Sequence, residues 1–387
     1  MKVVEAKAPG KILWIGGYAI VEQNNIGFVT TVDATVNVFV SKSADNSIFI
    51  DAKALKIKAR GYIDLESGKI DIINLPKELL LIKTAAELSL MYIRSIGKEI
   101  SGISLKSNNS NAFSINLNKE GKISKTGLGS SAAVTVATVG AILNLFNIKI
   151  TEKDELQKIS QLSHAIATGK LGSGFDIAAA VYGTIVYSRY SPQLIKNFPI
   201  KYSNNDIKKL IFNKWDYKIN KLKLPVFFRI VAANFVDEGT STSRSLGSIN
   251  EFKAKDPKTY NHLIKQINNA DVKAVKILKK IKSNDSELLI EFKKEFENAR
   301  HITKKLGEFS NVNIEEDECS KIIEESMDNG AFVAKLPGAG GRDSIVALCI
   351  DKKSENKLKK FWRQKKELVL IKTNISNKGI KIKKYNV

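Results

Sequence analysis

The sequence predicts an α+β protein built as two lobes. Three observations carry that expectation. The first 60 residues read as short β-strands, later strands and helices mix without the regular βαβ rhythm of a doubly wound sheet, and Ser191-Pro192 breaks the pattern near the middle. A chain of 387 residues is long enough for two modest domains, each with a core of its own. The lobes are expected at residues 1–190 and 191–387.

In the first lobe, VVEAK, KILWI, FVTTVDATVNVFV and SIFI are rich in Val, Ile, Thr and Phe and are punctuated by Gly and Asn, so they read as strands. Residues 79–96 place apolar side chains at helical spacing and stop at Gly97. Strands are expected at 102–106 and 112–117. The Ala-rich, Pro-free stretch from Ala132 to Phe146 reads as a tightly packed helix, and a second helix runs from Glu152 to about Lys170, with Thr151 as its N-cap. Gly172-Ser173-Gly174 turns the chain into Phe175–Tyr182, and residues 183–190 form a strand. Beyond the break lie a strand at 226–234 and a serine-rich turn at 239–245, then Lys-rich helices between 257 and 306 and a helix at 315–329. Strands at 331–336 and 344–350, a basic helix at 354–366 and a strand at 367–372 complete the reading.

The chain carries 62 Lys+Arg against 40 Asp+Glu, a net charge of +22. Residues 1–200 contribute +7 and residues 201–387 contribute +15. The basic residues are mostly dispersed lysines with no RNP strand, zinc-finger spacing or basic zipper beside them, so a specific nucleic-acid binder is not indicated. A solvated surface that also steers an anionic small substrate fits better. Cys319 and Cys349 exclude a disulfide framework and fit a reducing interior. No apolar run reaches the roughly 20 residues needed to span a bilayer, and the N-terminus lacks a signal core, so a cytoplasmic chain without membrane contact is expected.

Three glycine clusters point to chemistry. In Lys125-Thr126-Gly127-Leu128-Gly129-Ser130-Ser131-Ala132, the glycines allow close backbone approach and the serines supply hydroxyls. The helix that follows aims its unpaired N–H groups at the loop, which makes an anion cradle suited to the phosphates of ATP. The spacing is neither GxxxxGK[ST] nor GxGxxG. The second cluster, Ala8-Pro9-Gly10-Lys11 through Gly16-Gly17-Tyr18 to Glu22, sets a lysine between a Pro-Gly turn and an apolar strand. The third, Lys335-Leu336-Pro337-Gly338-Ala339-Gly340-Gly341-Arg342-Asp343, lies between two strands and reads either as backbone closing over a phosphate or as a long hairpin turn.

In this order the three clusters resemble the motifs of the GHMP kinase superfamily, and they span residues 8 to 344. The resemblance implies a ribosomal S5 domain 2-like N-terminal lobe and a ferredoxin-like C-terminal lobe. Within the superfamily, GGYAIVE, GSGFDIAAAVYG and GAGGRD look most like the phosphomevalonate kinases, although Arg342 stands where those more often have Gly. Mevalonate kinases carry an acidic-His pair where this chain has Gly17-Tyr18. They also carry a Glu that a gapless alignment on Asp176 matches to Ala165. Mevalonate kinase or another GHMP small-molecule kinase is the alternative, with a non-catalytic GHMP-fold binding protein behind it.

The implied activity is transfer of the ATP γ-phosphate to 5-phosphomevalonate, assisted by Mg²⁺. The implied small-molecule partners are therefore ATP and phosphomevalonate, with a homodimer left open. Lys11 and Lys125 would bridge phosphates, and Asp176 would orient Lys11 and the phosphates; as a plain residue type it could equally cap a helix. Gly127, Leu128, Gly129, Ser130, Ser131 and Ala132, with Lys125, would hold ATP. Ser130 or Ser131 would meet Mg²⁺ or the β-phosphate. Tyr18, Ser173, Gly174, the turn Ser241-Thr242-Ser243-Arg244, and Gly338, Ala339, Gly340 and Arg342 would line the acceptor site with Lys11. His164 reads as structural.

Overall fold

The computed structural model describes residues 2–116, 123–148, 153–236, 242–284 and 286–386; at 115–116, 123–124 and 242–245 it describes the backbone alone. The chain opens on two long antiparallel strands, β1 (Lys2–Ile15) and β2 (Ile26–Lys42). Next come β3 (Ser47–Ala52), β4 (Ile57–Ile63), β5 (Ile70–Asp71), helix α1 (Leu80–Ser95) and β6 (Ile103–Asn109). A short hairpin, β7 (Ser114–Asn116) and β8 (Ile123–Lys125), leads into α2 (Ser130–Leu145). Then follow α3 (Asp154–Thr168), α4 (Phe175–Tyr182), β9 (Ile185–Ser188), α5 (Gln193–Lys196), α6 (Asn204–Phe212) and β10 (Lys218–Lys221). The nine-stranded sheet runs β10-β9-β2-β6-β3-β4-β5, with β1 on the other side of β2; only β3–β6 is parallel.

Helix α2 is apolar on all sides because it is packed on all sides. Ala133, Val136, Ala137, Val139, Ala141, Ile142 and Leu143 are each fully buried. Strand β1 is buried on both faces. Val4, Ala6, Ala8, Ile12 and Trp14 join the main core, while Leu13 joins a separate cluster with Ala178 and Ala179 of α4. Lys11 shares the face of Leu13 by simple alternation, which directs it toward α4. A register shift between Pro9 and Lys11 disturbs the β1–β2 ladder at this point.

The second lobe begins at β11 (Arg229–Phe235). It continues through α7 (Thr242–Lys255), α8 (Pro257–Leu278), α9 (Ser286–Ser310) and α10 (Asp317–Asp328) to β12 (Val333–Lys335), β13 (Ser344–Cys349), α11 (Lys352–Gln364) and β14 (Leu368–Ile371). Its antiparallel sheet has the order β12-β13-β11-β14. With α10 and α11 as the connecting helices this is a βαββαβ unit, the ferredoxin-like arrangement that the family resemblance implies. Cys319, Ile322, Ile323, Leu358 and Trp362 cover one face of this sheet, and the α8–α9 pair packs on the other through Val275, Leu278, Phe292 and Phe296.

The sheet does not stop where the sequence breaks. After Ser191-Pro192, β10 returns to pair with β9, and a last strand, β15 (Lys381–Asn386), returns to pair with β1. Residues 218–221 and 381–386 therefore belong to the first sheet although they follow residue 190. Strand β15 escapes the sequence reading because half of KIKKYN is lysine. It is held where Ile380 and Ile382 meet Gly140 of α2, and a Cβ there would lie 2.6 Å from the Ile380 Cδ1. Helix α3 starts after Lys153, a left-handed residue at φ 60°, and the expected cap Thr151 lies outside the described residues. Asp176 is not a cap: Gly174 at φ 86° precedes α4 and Asp176 sits in its first turn.

Trp362 is fully buried and donates its indole N–H to Ser326 Oγ at 2.8 Å. Trp362→Ala is expected to cost about 3–5 kcal/mol by leaving a cavity and removing the hydrogen bond that Ser326 Oγ accepts, while that hydroxyl still donates to the Ile322 carbonyl. Denaturant unfolding reads the loss directly.

Candidate active site

The glycine loop at 127–129 is shaped by two left-handed glycines, Gly127 at φ 68° and Gly129 at φ 84°. A side chain at Gly129 would press on Lys11, with its Cβ 2.9 Å from the Lys11 Cε. Lys11 therefore reaches the loop only because residue 129 has no Cβ. Its Nζ donates to the Gly127 carbonyl at 3.0 Å and lies 5.5 Å from the centroid of the Phe175 ring, and its backbone N–H donates to the Leu128 carbonyl at 2.8 Å. Burial pushes the Lys11 ammonium below its ordinary value of 10.5, and the nearby Asp176 charge opposes that shift. Leu128 and Ala132 are buried, while Ser130 and Ser131 are half-buried at the first positions of α2, where the helix presents unpaired N–H groups. Lys125 is exposed at the end of β8, and its carbonyl accepts from Asn234 Nδ2 of β11 at 3.0 Å.

The second wall is the turn before α4. Asp176 is half-buried, and its Oδ1 accepts from the Ile177 N–H at 2.9 Å. Ser173 is buried, and its carbonyl accepts from the Tyr187 hydroxyl at 3.0 Å. Gly174 has no room for a side chain, since a Cβ would lie 2.6 Å from Gln161 Oε1 and 2.9 Å from the Tyr187 hydroxyl. Gln161 is thus the α3 residue that meets this turn. Ala165, the position of the gapless family alignment, instead lines a groove against Ile195 and Tyr202.

First and third clusters meet directly. The Tyr18 hydroxyl donates to the Ala339 carbonyl at 2.7 Å. Gly340 and Gly341 are pinned on the Ile314 carbonyl, which accepts from the Gly341 N–H at 2.8 Å and leaves no space for a Cβ on Gly340. Gly338, at φ 68°, has open space beside it. Arg342 pairs through one Nη with Glu318 Oε2 at 2.5 Å and stacks 5.5 Å from the Phe235 ring.

Behind the bend lies a small cleft lined by Gly16, Gly17, Asp271, Lys335 and Gly340. Here the edge of β1 is finished by charge. Lys335 Nζ donates to the Trp14 carbonyl at 3.2 Å, and Asp271 takes a hydrogen bond from the Gly16 N–H. Burial pushes the Asp271 carboxyl up to about 7 and the Lys335 ammonium down, each opposed by the charge of the other.

Of the residues singled out from sequence, Lys11, Gly127, Leu128, Gly129 and Asp176 come together, and Tyr18 joins Ala339. Ser241 lies outside the described residues. Thr242, Ser243 and Arg244 open α7, with only their backbone described. Sequence reading missed Gln161, Tyr187 and Asp271 and gave Lys335, the first residue of the third cluster, no role; these four support the glycine turns from behind. Nothing in an ordinary helix or strand pattern marks them. Among the described residues no group of three or more His, Cys, Asp or Glu could hold a metal ion. Two serine hydroxyls and one carboxylate are hard oxygen donors, few enough to fit Mg²⁺ held mainly by nucleotide phosphates and water.

Comparison with known proteins shows the family and the fold. Residues 82–184 match the GHMP kinases N terminal domain and residues 277–368 the GHMP kinases C terminal domain. The chain belongs to the GHMP kinase family. It is 26% identical to a phosphomevalonate kinase of Candida albicans over 90% of both chains. With one of Saccharolobus solfataricus the identity is 27% over 94% of both. The fold matches Streptococcus pneumoniae phosphomevalonate kinase, solved with phosphomevalonate and AMPPNP, with a TM-score of 0.73 at 20% identity, covering 96% of this chain and 99% of that one.

If Asp176 holds up the charge on Lys11, nitrogen-15 NMR of the Lys11 ammonium should show a titration below 10.5 that moves lower still in Asp176→Asn. An unmoved midpoint would separate the two groups.

Proposed function

We propose that the chain is a phosphomevalonate kinase, transferring the γ-phosphate of ATP to (R)-5-phosphomevalonate to give 5-diphosphomevalonate and ADP. The observation that carries this reading is the buried Lys11 ammonium, set between the Gly127–Gly129 loop and the first turn of α4. The names of the Candida and Saccharolobus relatives support the choice of acceptor.

The acceptor is itself a phosphate monoester, whose second pKa is about 6, so its attacking oxygen is already ionised at neutral pH. That oxygen bonds to the γ-phosphorus as the bond to the ADP oxygen breaks, and no proton need be removed first. The work left to the protein is alignment and charge neutralisation. Lys11 stands between the acceptor and transferred phosphates, the α2 N-terminus and Lys125 hold the nucleotide phosphates, and Asp176 orients Lys11. Mg²⁺, held through Ser130 or Ser131 and Asp176, would neutralise charge on the nucleotide. Ser173, Gly174, Tyr18 and the loop at Gly338–Ala339 line the acceptor side. The thiols of Cys319 and Cys349, unpaired and buried, suit a cytoplasmic enzyme.

ADP release from Mg-ATP, measured with phosphomevalonate, mevalonate, diphosphomevalonate or no acceptor, tests the reading. Turnover is expected with phosphomevalonate alone, falling at least about 100-fold in Lys11→Ala and Lys125→Ala. Turnover with mevalonate instead would assign the site to a different acceptor.

A further inference from the structure

Arg189 holds no carboxylate at ion-pair distance among the described residues, although its charge acts on Glu22 from farther away. It follows β9, is 7% exposed, and takes part in none of the ion pairs among the described residues. A guanidinium is always charged, so burying it needs acceptors, and here they are backbone carbonyls from two separate loops. One Nη donates to Val21, at the end of the short turn that carries Tyr18. The other reaches Gly172 at 3.3 Å and Leu171 at 3.5 Å, in the turn that carries Ser173 and leads to Asp176. Its Nε is buried without a partner.

Its neighbours do the same work with hydroxyls. Tyr190 donates to the Gly172 carbonyl at 3.3 Å and Tyr187 to that of Ser173 at 3.0 Å. The carbonyls of residues 171, 172 and 173 are therefore all drawn toward β9. A carbonyl oxygen turned toward an anion repels it, so a turn that accepts a phosphate must keep its carbonyls elsewhere. The far side of the Tyr18 turn is anchored to the second lobe, where Glu22 Oε1 accepts from Lys253 at 2.6 Å and from Tyr260 at 2.7 Å.

We infer that Arg189 is a positioning residue for the acceptor half of the site. It locks the Tyr18 turn to the Leu171–Gly174 turn and holds the carbonyls of the latter away from the bound phosphate. This inference rests on the reading of the site as one that accepts phosphomevalonate. Arg189 touches neither substrate in this account, and the α2 phosphate loop is not among its contacts, so its loss should separate the two substrates.

In the full chain, Arg189→Met is expected to raise the KM for phosphomevalonate at least about tenfold while leaving the KM for ATP within about twofold. Titration calorimetry with phosphomevalonate alone should show the same weakening. Arg189→Lys, which keeps the charge but not the fork, should recover part of the loss. If Arg189→Met fails to fold, Arg189→Lys and Tyr190→Phe carry the test, each with a smaller shift confined to phosphomevalonate. An unchanged KM for phosphomevalonate, or equal changes for both substrates, overturns the inference. A wild-type chain inactive on phosphomevalonate would instead overturn the function on which it rests.

Discussion

The contact on which the site depends is the one between the Lys11 ammonium and the Gly127 carbonyl. An ammonium buried this far is unfavourable by several kcal/mol unless its surroundings answer it. The answer is assembled from three places: a carbonyl of the glycine loop, the Asp176 charge, and the face of Phe175. Each requires a feature far away in sequence. The register shift at Pro9–Lys11, the missing side chain at Gly129 and the Gly174 bend into α4 all serve this one approach. In the proposed reaction a bound triphosphate would replace the carbonyl as the partner of the lysine.

The two lobes are joined at the same location. Tyr18 bonds to Ala339, Glu22 to α7 and α8, and Lys335 with Asp271 finishes the edge of β1. Trp14 O and Gly16 N–H project from one edge of the strand, two residues apart, and the buried Lys335 and Asp271 side chains satisfy them where a neighbouring strand would otherwise pair. Charge thus does the work of a sheet partner at a point where a strand would block the cleft. Strand β15 supports the arrangement from the other end by closing the outer edge of β1.

Much of this was legible in the chain. The Val- and Thr-rich β2, the helical spacing of α1 and the all-apolar α2 follow from residue pattern, and the three glycine clusters mark the loops that converge. What stayed hidden depends on distance in sequence. Arg189 and Tyr190 sit in GTIVYSRY, which reads only as a strand end, and their partners lie up to 168 residues away. Asp271 and Lys335 look like ordinary members of an amphipathic helix and a strand. The lysine-rich β15 has too few apolar residues to announce pairing. Arg342, whose place in a glycine loop suggested a phosphate contact, also pairs with Glu318, a partner 24 residues away that the loop motif does not mark.

The central claim is that Lys11 links the phosphate loop to the acceptor. A crystal structure of the chain with AMPPNP and phosphomevalonate tests it most directly. The account predicts that the Lys11 Nζ leaves the Gly127 carbonyl and lies within about 3 Å of oxygens on both the γ-phosphate and the acceptor phosphate. Both ligands bound with Lys11 still on Gly127, or turned from either phosphate, would contradict it.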